Sequence, residues 1–494
     1  MSWSNWGFSG TQEWLRKSVS SRGAWLDWSS HDGELQGCVD AAFTSANFPG
    51  EDEQSLVARR QKWAALLHRF QKYGHYSTGN RVTVLEGGDQ CFACMLDAIA
   101  AAETRVWCES YIFDNSPVAE VFFKALLDSA QRGLDVVLLV DFIGSFSLRT
   151  DWVSELRQAG AEVVFFNPVL PSSCVGPISF RDHRKITICD NVGFCGGMNI
   201  HEEVGEEKYG TGKFYDVHAL LEGPSVADLA EVFRDSLSEA GGKVWRDPIP
   251  RPPRIEPGVY VQILQSNVRR RRRTLQKVIA HAINAADESV SLTTAYFFPP
   301  GFLKRALLQV PARGVRLSLL LSGSSDFYPL PGDLLAQTYF LRSFLRDSRE
   351  CEESQGEVKV HLYEQRHMHA KYMSVDGVFS TIGSFNFDLY SARRNLEVGV
   401  AVFDHSFARG LQAIHDKKVQ ESRRTVFEDW VYHQPMVQVA CAIAYGVVRL
   451  SGRNMFDGLD CFQRKWLVRK AALTFLLEEQ SAQFIATSMM WGLD

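Results

Sequence analysis

Apolar and polar residues alternate along "HAKYMSVD" (369–376), a period of two that predicts an extended strand, so His369 and Lys371 project from one face. Asp-Gly follows between apolar residues in "VDGV", the strongest short hairpin signal. The run "VFSTIGSFN" should then return along the hairpin and bring Gly383, Ser384 and Asn386 beside the first strand. Asp376 lies at an odd offset from His369, in the turn itself, and is expected to be a turn residue rather than the partner of the histidine. The pattern occurs twice. Residues 181–199 read "RDHRKITICDNVGFCGGMN", with His183, Lys185, Asp190, Gly196, Gly197 and Asn199 in the same order. Histidine to lysine is two positions in each copy, lysine to aspartate five, and aspartate to asparagine nine and then ten.

The repeat extends upstream. "AIAAAETRVWCESYIF" precedes the first motif and "AINAADESVSLTTAYFFPP" the second, so that Tyr111 stands 72 positions before His183 and Tyr296 stands 73 before His369. Between each tyrosine and its histidine come a helical pattern and a strand-like run, "SAQRGLDVVLLVD" in one half and "QVPARGVRLSLLLSG" in the other. Alternating strand and helix in each half predicts an α/β fold built from two similar sheets. The halves are joined by "VWRDPIPRPPRIEPGVY", whose five prolines make a stiff connection outside any sheet. The expected organisation is an N-terminal extension (1–80), a first half (81–247), a second half (256–432) and a helical C-terminal extension (433–494).

Imidazole, ammonium and carboxamide groups held side by side form a pocket suited to a phosphoryl group. Lys185 and Lys371 supply charge, Asn199 and Asn386 supply oriented donors, and the small residues Gly196, Gly197, Gly383 and Ser384 let phosphate oxygens approach the backbone. One such hairpin could be an ordinary half-buried one; two with the same spacing argue for chemistry.

Two copies of H-x-K-x(4)-D, each followed by Gly-Gly or Gly-Ser, one residue and asparagine, resemble the phospholipase D superfamily over roughly residues 80–432. Within it, "ESYIF", "TTAYFFPP" and "NFDLYSARRNLEV" are most similar to the cardiolipin synthase branch. The resemblance implies two pseudo-symmetric α/β halves packed face to face around one active site, to which both motifs contribute. It implies a two-step phosphatidyl transfer with no metal and no cofactor, in which His183 attacks, a phosphohistidine forms, and His369 protonates the departing alkoxide. It also places an orienting acid after each asparagine. That role falls on Asp216 in "FYDVHALLEGP" and Glu397 in "RRNLEVGV", each expected to serve the histidine of its own half. Asp190 and Asp376 remain turn residues, and Tyr111 and Tyr296 are candidate substrate contacts. Cardiolipin formation from phosphatidylglycerol is the first expectation, hydrolysis to phosphatidic acid the second and a nuclease the third. A non-catalytic lipid-binding protein would have to ignore two intact motifs.

Composition adds little against this. The chain has 494 residues, 45% apolar and 12% aromatic, enough for two halves and terminal extensions. A net charge of -5 gives no global argument for nucleic acid, which stays an unlikely partner rather than an excluded one. The only C-x-x-C among ten cysteines, "CFAC" at 91–94, lies on a helical pattern and reads as a reduced core helix; Cys189 and Cys195 read as small core fillers. The acidic stretch at 346–358 reads as a solvated loop. The N-terminus lacks a signal-peptide pattern and no stretch reaches the length of a membrane span, "MVQVACAIAYGVV" at 436–448 being a core helix or an interfacial segment. Peripheral attachment on the cytoplasmic side of an anionic membrane is therefore expected.

Two amphipathic patterns could provide it. Leu56, Trp63, Leu67 and Phe70 form one helical stripe beside Arg59, Arg60, Lys62, Arg69 and Lys72; Phe462, Trp466, Leu473 and Leu477 form another beside Arg464, Lys465, Arg469 and Lys470. Such helices suit a lipid interface, or equally pack on the catalytic body. The former is preferred because a lipid substrate requires contact. The arginine run 269–273, with Arg269, Arg270 and Arg271 as candidate phosphate contacts, should leave the end of a strand on the site side; a solvated, nucleic-acid-binding patch is the alternative.

Overall fold

The computed structural model describes residues 32–45, 52–169, 179–243, 249–267, 269–270, 272–326, 331–349, 356–431 and 435–451. The first half contributes β1 (Tyr76–Glu86), β2 (Arg105–Ser110), β3 (Asp135–Asp141), β4 (Glu162–Phe166), β5 (Ile186–Cys189), β6 (Val192–Gly196), β7 (Phe214–Tyr215) and β8 (Val217–Glu222). The second contributes β9 (Val259–Asn267), β10 (Arg272–Arg273), β11 (Ser289–Thr294), β12 (Arg316–Ser322), β13 (Val358–Tyr363), β14 (His367–Met368), β15 (Tyr372–Val375), β16 (Phe379–Gly383), β17 (Glu397–Phe403) and β18 (Arg423–Thr425).

The strands run in the order β18-β13-β12-β11-β15-β16-β17-β9-β1-β8-β6-β5-β2-β3-β4, with β10 beside β9. Reading outward from the β1–β9 pair gives matching successions as far as β4 on one side and β13 on the other, with β18 added at one edge; this is the pseudo-dyad the repeated motif foretells. β2, β3 and β4 pair in parallel, as do β11, β12 and β13, and the motif hairpins β5–β6 and β15–β16 are antiparallel insertions next to them.

The parallel strands are apolar on both faces because both are covered. In β3, Val136, Leu138 and Val140 pack under the first half's outer helices, while Val137 and Leu139 face inward. There they join Ile188, Val217 and Leu221 from the first half and Leu320, Ile382, Val398 and Val400 from the second in one apolar layer. The halves thus meet face to face while sharing a sheet edge.

One expectation about membrane attachment changes. The helix Glu53–Phe70 is not free for lipid: Trp63, Leu67 and Phe70 are fully buried, and Trp63 stacks on Phe379 with ring centroids 5.6 Å apart. Its basic flank meets protein too, Arg59 pairing with Glu288 and Lys62 with Asp287. A tryptophan stripe flanked by cations satisfies a protein core and a lipid surface equally, and here an acidic turn of the second half supplied the partner. The second amphipathic pattern, 461–477, lies outside the described residues.

The helix Pro435–Ser451 packs one side on the helix Gly332–Arg349, Tyr445 stacking on Tyr339 at 5.1 Å, and leaves Met436, Val439, Ile443 and Val447 exposed. Among the described residues no helix is long and apolar enough to cross a membrane. Cys91 and Cys94 are free thiols on the helix Gly88–Ala101. The acidic stretch begins inside the helix Gly332–Arg349, and residues 350–355 fall outside the described chain.

Candidate active site

The motif hairpins bring their chemistry to the line where the halves meet. Each motif histidine sits just before its strand and pairs by its backbone with the opposite half: His183 N donates to Leu396 O at 3.0 Å, and His369 N to Tyr215 O at 2.8 Å. β7 and β14 form a small parallel sheet across the same boundary. Arg184, fully buried, braces this crossing by donating to the carbonyls of Val232, Glu397 and Ser266, to Ser236 Oγ and to Gln265 Oε1.

The crossing decides which acid meets which imidazole. Glu397 Oε2 lies 3.1 Å from His183 Nδ1, and Asp216 Oδ2 lies 2.5 Å from His369 Nδ1. Each histidine is therefore backed by the other half's carboxylate, contrary to the expected pairing within a half. The physical reason is backbone geometry: the strand after each asparagine runs alongside the approach to the other half's histidine, so its first side chain reaches across.

Glu397 also accepts from the Ser384 hydroxyl and from Asn395 Nδ2 at 3.2 Å. Burial opposes its ionisation, but His183, Lys185 and Ser384 outweigh burial and hold its pKa below the ordinary range. Among the described residues Asp216 has no hydroxyl donor, and burial pushes it up to about 6 against the pull of Lys371. The two carboxylates consequently give their histidines different fields.

The small residues have a steric task. A Cβ on Gly197 would meet Asp216 Oδ1 at 2.3 Å, one on Gly196 would meet His218 Nδ1 at 2.6 Å, and one on Gly383 would meet Val398 O at 2.3 Å. They make room for the neighbouring strand and its carboxylate. Asp190 and Asp376 both have positive φ, 50° and 51°, and lie in the turns. Asp190 accepts from the backbone of Glu103, Thr104 and Arg105, and Asp376 from that of Asp287, Glu288 and Ser289, so each pins its hairpin to the start of the adjacent strand.

Lys185 Nζ donates to His183 O at 2.7 Å, and Lys371 Nζ donates to His369 O. Burial, with Lys371 adding and Glu397 opposing, brings Lys185 down to about 7; burial brings Lys371 down to about 8 against Asp216 and Glu397. His183 is lowered by burial and then Lys185, and His369 is lowered further, by burial and then Lys371. Four basic groups crowd a buried space, and the pKa of each is lowered there. An anion entering it would reverse that.

At pH 7.5 a non-titrating tetrahedral anion such as sulfate should bind with net proton uptake, because the anion raises the pKa of Lys185 and Lys371 toward that of free lysine. Calorimetry in buffers of different ionisation heat reads the proton count. Proton release would contradict this electrostatic picture.

Asn199 Oδ1 accepts from Ile112 N at 3.1 Å; Asn386 is equally buried, and its Oδ1 has no hydrogen-bond partner among the described residues. Tyr111 presents its ring to His183 edge-on at 5.2 Å and lies under Lys185 Nζ, while burial and then Asp141 push its hydroxyl up to about 12. Tyr296 is placed differently, its hydroxyl donating to Asp326 and its ring 6.1 Å from that of His367.

The arginines are not a free cationic patch. Arg270 is held by Asp235 and Glu239 and Arg269 by Glu239, both acids lying on the helix Ser225–Glu239; Arg271 lies outside the described residues. The loop leaves β9 on the site side, since Ser266 pairs with Glu397, but its charge is already partnered by an acidic helix face. His367 was missed. Its signal was the period of two that also links His369 and Lys371.

A family model described as a cardiolipin synthase, phospholipase D-like domain matches residues 279–418. Cardiolipin synthase A of Pseudomonas fluorescens (strain SBW25) is 30% identical over 404 residues, a match covering 78% of this chain and 80% of that one. The chain belongs to the cardiolipin synthase family. It is thus a phosphatidyltransferase of the phospholipase D superfamily. The cardiolipin synthase of Geobacillus thermodenitrificans (strain NG80-2) is 29% identical over 345 residues, 68% of this chain and 66% of that one. Among solved structures, phosphatidylserine synthase of Haemophilus influenzae Rd KW20 superposes with a TM-score of 0.62 at 15% identity, covering 80% of this chain and 98% of that one. That likeness extends to the fold.

Proposed function

We propose that the protein forms cardiolipin from two molecules of phosphatidylglycerol through a phosphohistidine. The observation carrying this is the pair of imidazoles, each backed on Nδ1 by a buried carboxylate of the opposite half, which leaves each Nε2 free for phosphorus or a proton. His183 Nε2 attacks phosphorus, the bond to the donor's glycerol oxygen breaks, and His369 gives that oxygen a proton. The free hydroxyl of a second phosphatidylglycerol then attacks phosphorus, His369 takes its proton and the N–P bond breaks. Lys185, Lys371, Asn199 and Asn386 hold the equatorial oxygens, and Glu397 and Asp216 fix the tautomers and stabilise the imidazolium forms.

Purified protein incubated with phosphatidylglycerol vesicles in excess chelator should produce cardiolipin and glycerol. Phosphatidic acid as the sole product would select hydrolysis, shortened oligonucleotide in a parallel incubation would select a nuclease, and activity that returns only with a divalent ion would count against a metal-free reaction.

Access to lipid is assigned to the helix Pro435–Ser451, supported by its exposed stripe of Met436, Val439, Ile443 and Val447 on a segment with no acidic residue in its first turn. Burying one such side chain in lipid is worth about 1.5–3 kcal/mol. Met436→Glu with Ile443→Glu should therefore lower retention on phosphatidylglycerol vesicles by about tenfold or more in a flotation assay. Undiminished retention would remove the assignment.

A further inference from the structure

The two halves differ at the position two residues before each catalytic histidine. In the first half Arg181 stands there, donating to Asp141 Oδ1 at 3.2 Å and to Asn167 O at 2.9 Å. In the second half His367 stands there, 3% exposed, on the two-residue strand β14 just before His369. Its Nδ1 is 3.0 Å from Ser324 O and 3.1 Å from Ser322 Oγ. A carbonyl oxygen only accepts, so Nδ1 carries the proton and Nε2 of the neutral ring presents a lone pair. Burial lowers the pKa of His367, which favours that neutral ring.

Nε2 is buried and has no hydrogen-bond partner among the described residues. The same holds for Oδ1 of Asp326, whose other oxygen accepts from the Tyr296 hydroxyl. The Tyr296 and His369 rings lie 6.1 Å and 6.3 Å from that of His367. The His369 side of the site thus contains two bare acceptors, where the first half has a guanidinium already engaged by a carboxylate and a carbonyl. A buried acceptor without a donor is costly, so this arrangement favours a ligand that brings donors.

Resting on the phosphatidyl transfer proposed above, we infer that His367, Tyr296 and Asp326 form the subsite for the glycerol that leaves, or in the reverse direction enters, beside His369. Adjacent hydroxyls of a polyol supply two O–H donors for two acceptors. A simple alcohol has only the hydroxyl that reacts. Tyr296 holds the Asp326 carboxylate in place, so the subsite selects a hydroxyl-rich acceptor over a bare alkyl one.

The full chain, given phosphatidylglycerol vesicles with labelled glycerol, 1-propanol and ethanolamine as competing acceptors, reports the choice through the ratios of labelled phosphatidylglycerol, phosphatidylpropanol and phosphatidylethanolamine. Wild type should favour glycerol over 1-propanol, and His367→Leu, Asp326→Ala and Tyr296→Phe should each lower that ratio about tenfold or more, as lost hydrogen bonds to a substrate hydroxyl do. His367→Gln, which can still accept, should keep part of the preference. An unchanged ratio in variants that still transfer would overturn the subsite and leave the transfer reaction standing. Ethanolamine preferred over glycerol by wild type would overturn the polyol assignment, and wild type transferring to no acceptor would overturn the transfer reaction with it. Should His367→Leu lose its cooperative melting transition, Asp326→Ala and Tyr296→Phe decide the matter by the same ratio.

Discussion

A His369→Ala variant should still become covalently phosphatidylated when offered a donor with an activated aryl leaving group, and a His183→Ala variant should not. The departing aryl oxide needs no proton, so the first half-reaction can proceed without the acid, whereas the nucleophile has no substitute. With phosphatidylglycerol as donor, loss of the general acid should cost about 10²–10⁴ in rate. Loss of His183 should abolish transfer from either donor. Acid-labile phosphate recovered by mass spectrometry on His183 in the His369→Ala protein is the expected signature. Label on His369 in the converse variant, with none on His183, would exchange the two roles. Attack on phosphorus puts positive charge on the attacking ring, and Glu397, kept ionised behind His183, is the counterion for it.

The second large effect follows from the crossed pairs. Glu397→Gln should impair formation of the phosphoenzyme with alkyl and aryl donors alike, because it withdraws the anion behind the His183 ring. Asp216→Asn should impair alkyl donors far more than aryl ones, because it withdraws the anion behind His369. Replacing such a carboxylate by its amide costs up to about 10⁴ in turnover where the tautomer is lost. Rapid-quench labelling with both donors separates the cases. If Asp216→Asn were the variant insensitive to the leaving group, each acid would be serving its own half's histidine despite the geometry.

The hairpins, their turn aspartates and the strand–helix alternation were legible because all are local: a period of two, an Asp-Gly turn and a repeat at constant spacing. The crossing was not. Glu397 lies 214 positions from His183, and no periodicity distinguishes a carboxylate that reaches its own histidine from one that reaches the other. The arginine run failed for a related reason, since Asp235 and Glu239 stand one turn apart on a helix a whole element earlier and absorb its charge. Trp63 shows a third kind of limit: an amphipathic stripe states that something apolar will cover it, and the identity of the cover is decided by the acidic turn at Asp287 and Glu288. His367 differs again, its position predictable from the strand period and its unpaired nitrogen visible only once Ser322 and Ser324 are placed around it.

The exchanged carboxylates also bear on how the molecule could be taken apart. A fragment ending in the proline-rich linker would carry His183 without its counterion and Asp216 without anything to orient, and the complementary fragment would carry the mirror deficit. Neither piece can be a weakened version of the whole. Only re-association of unlike pieces restores both dyads, so catalytic competence is a property of the junction between the two lobes.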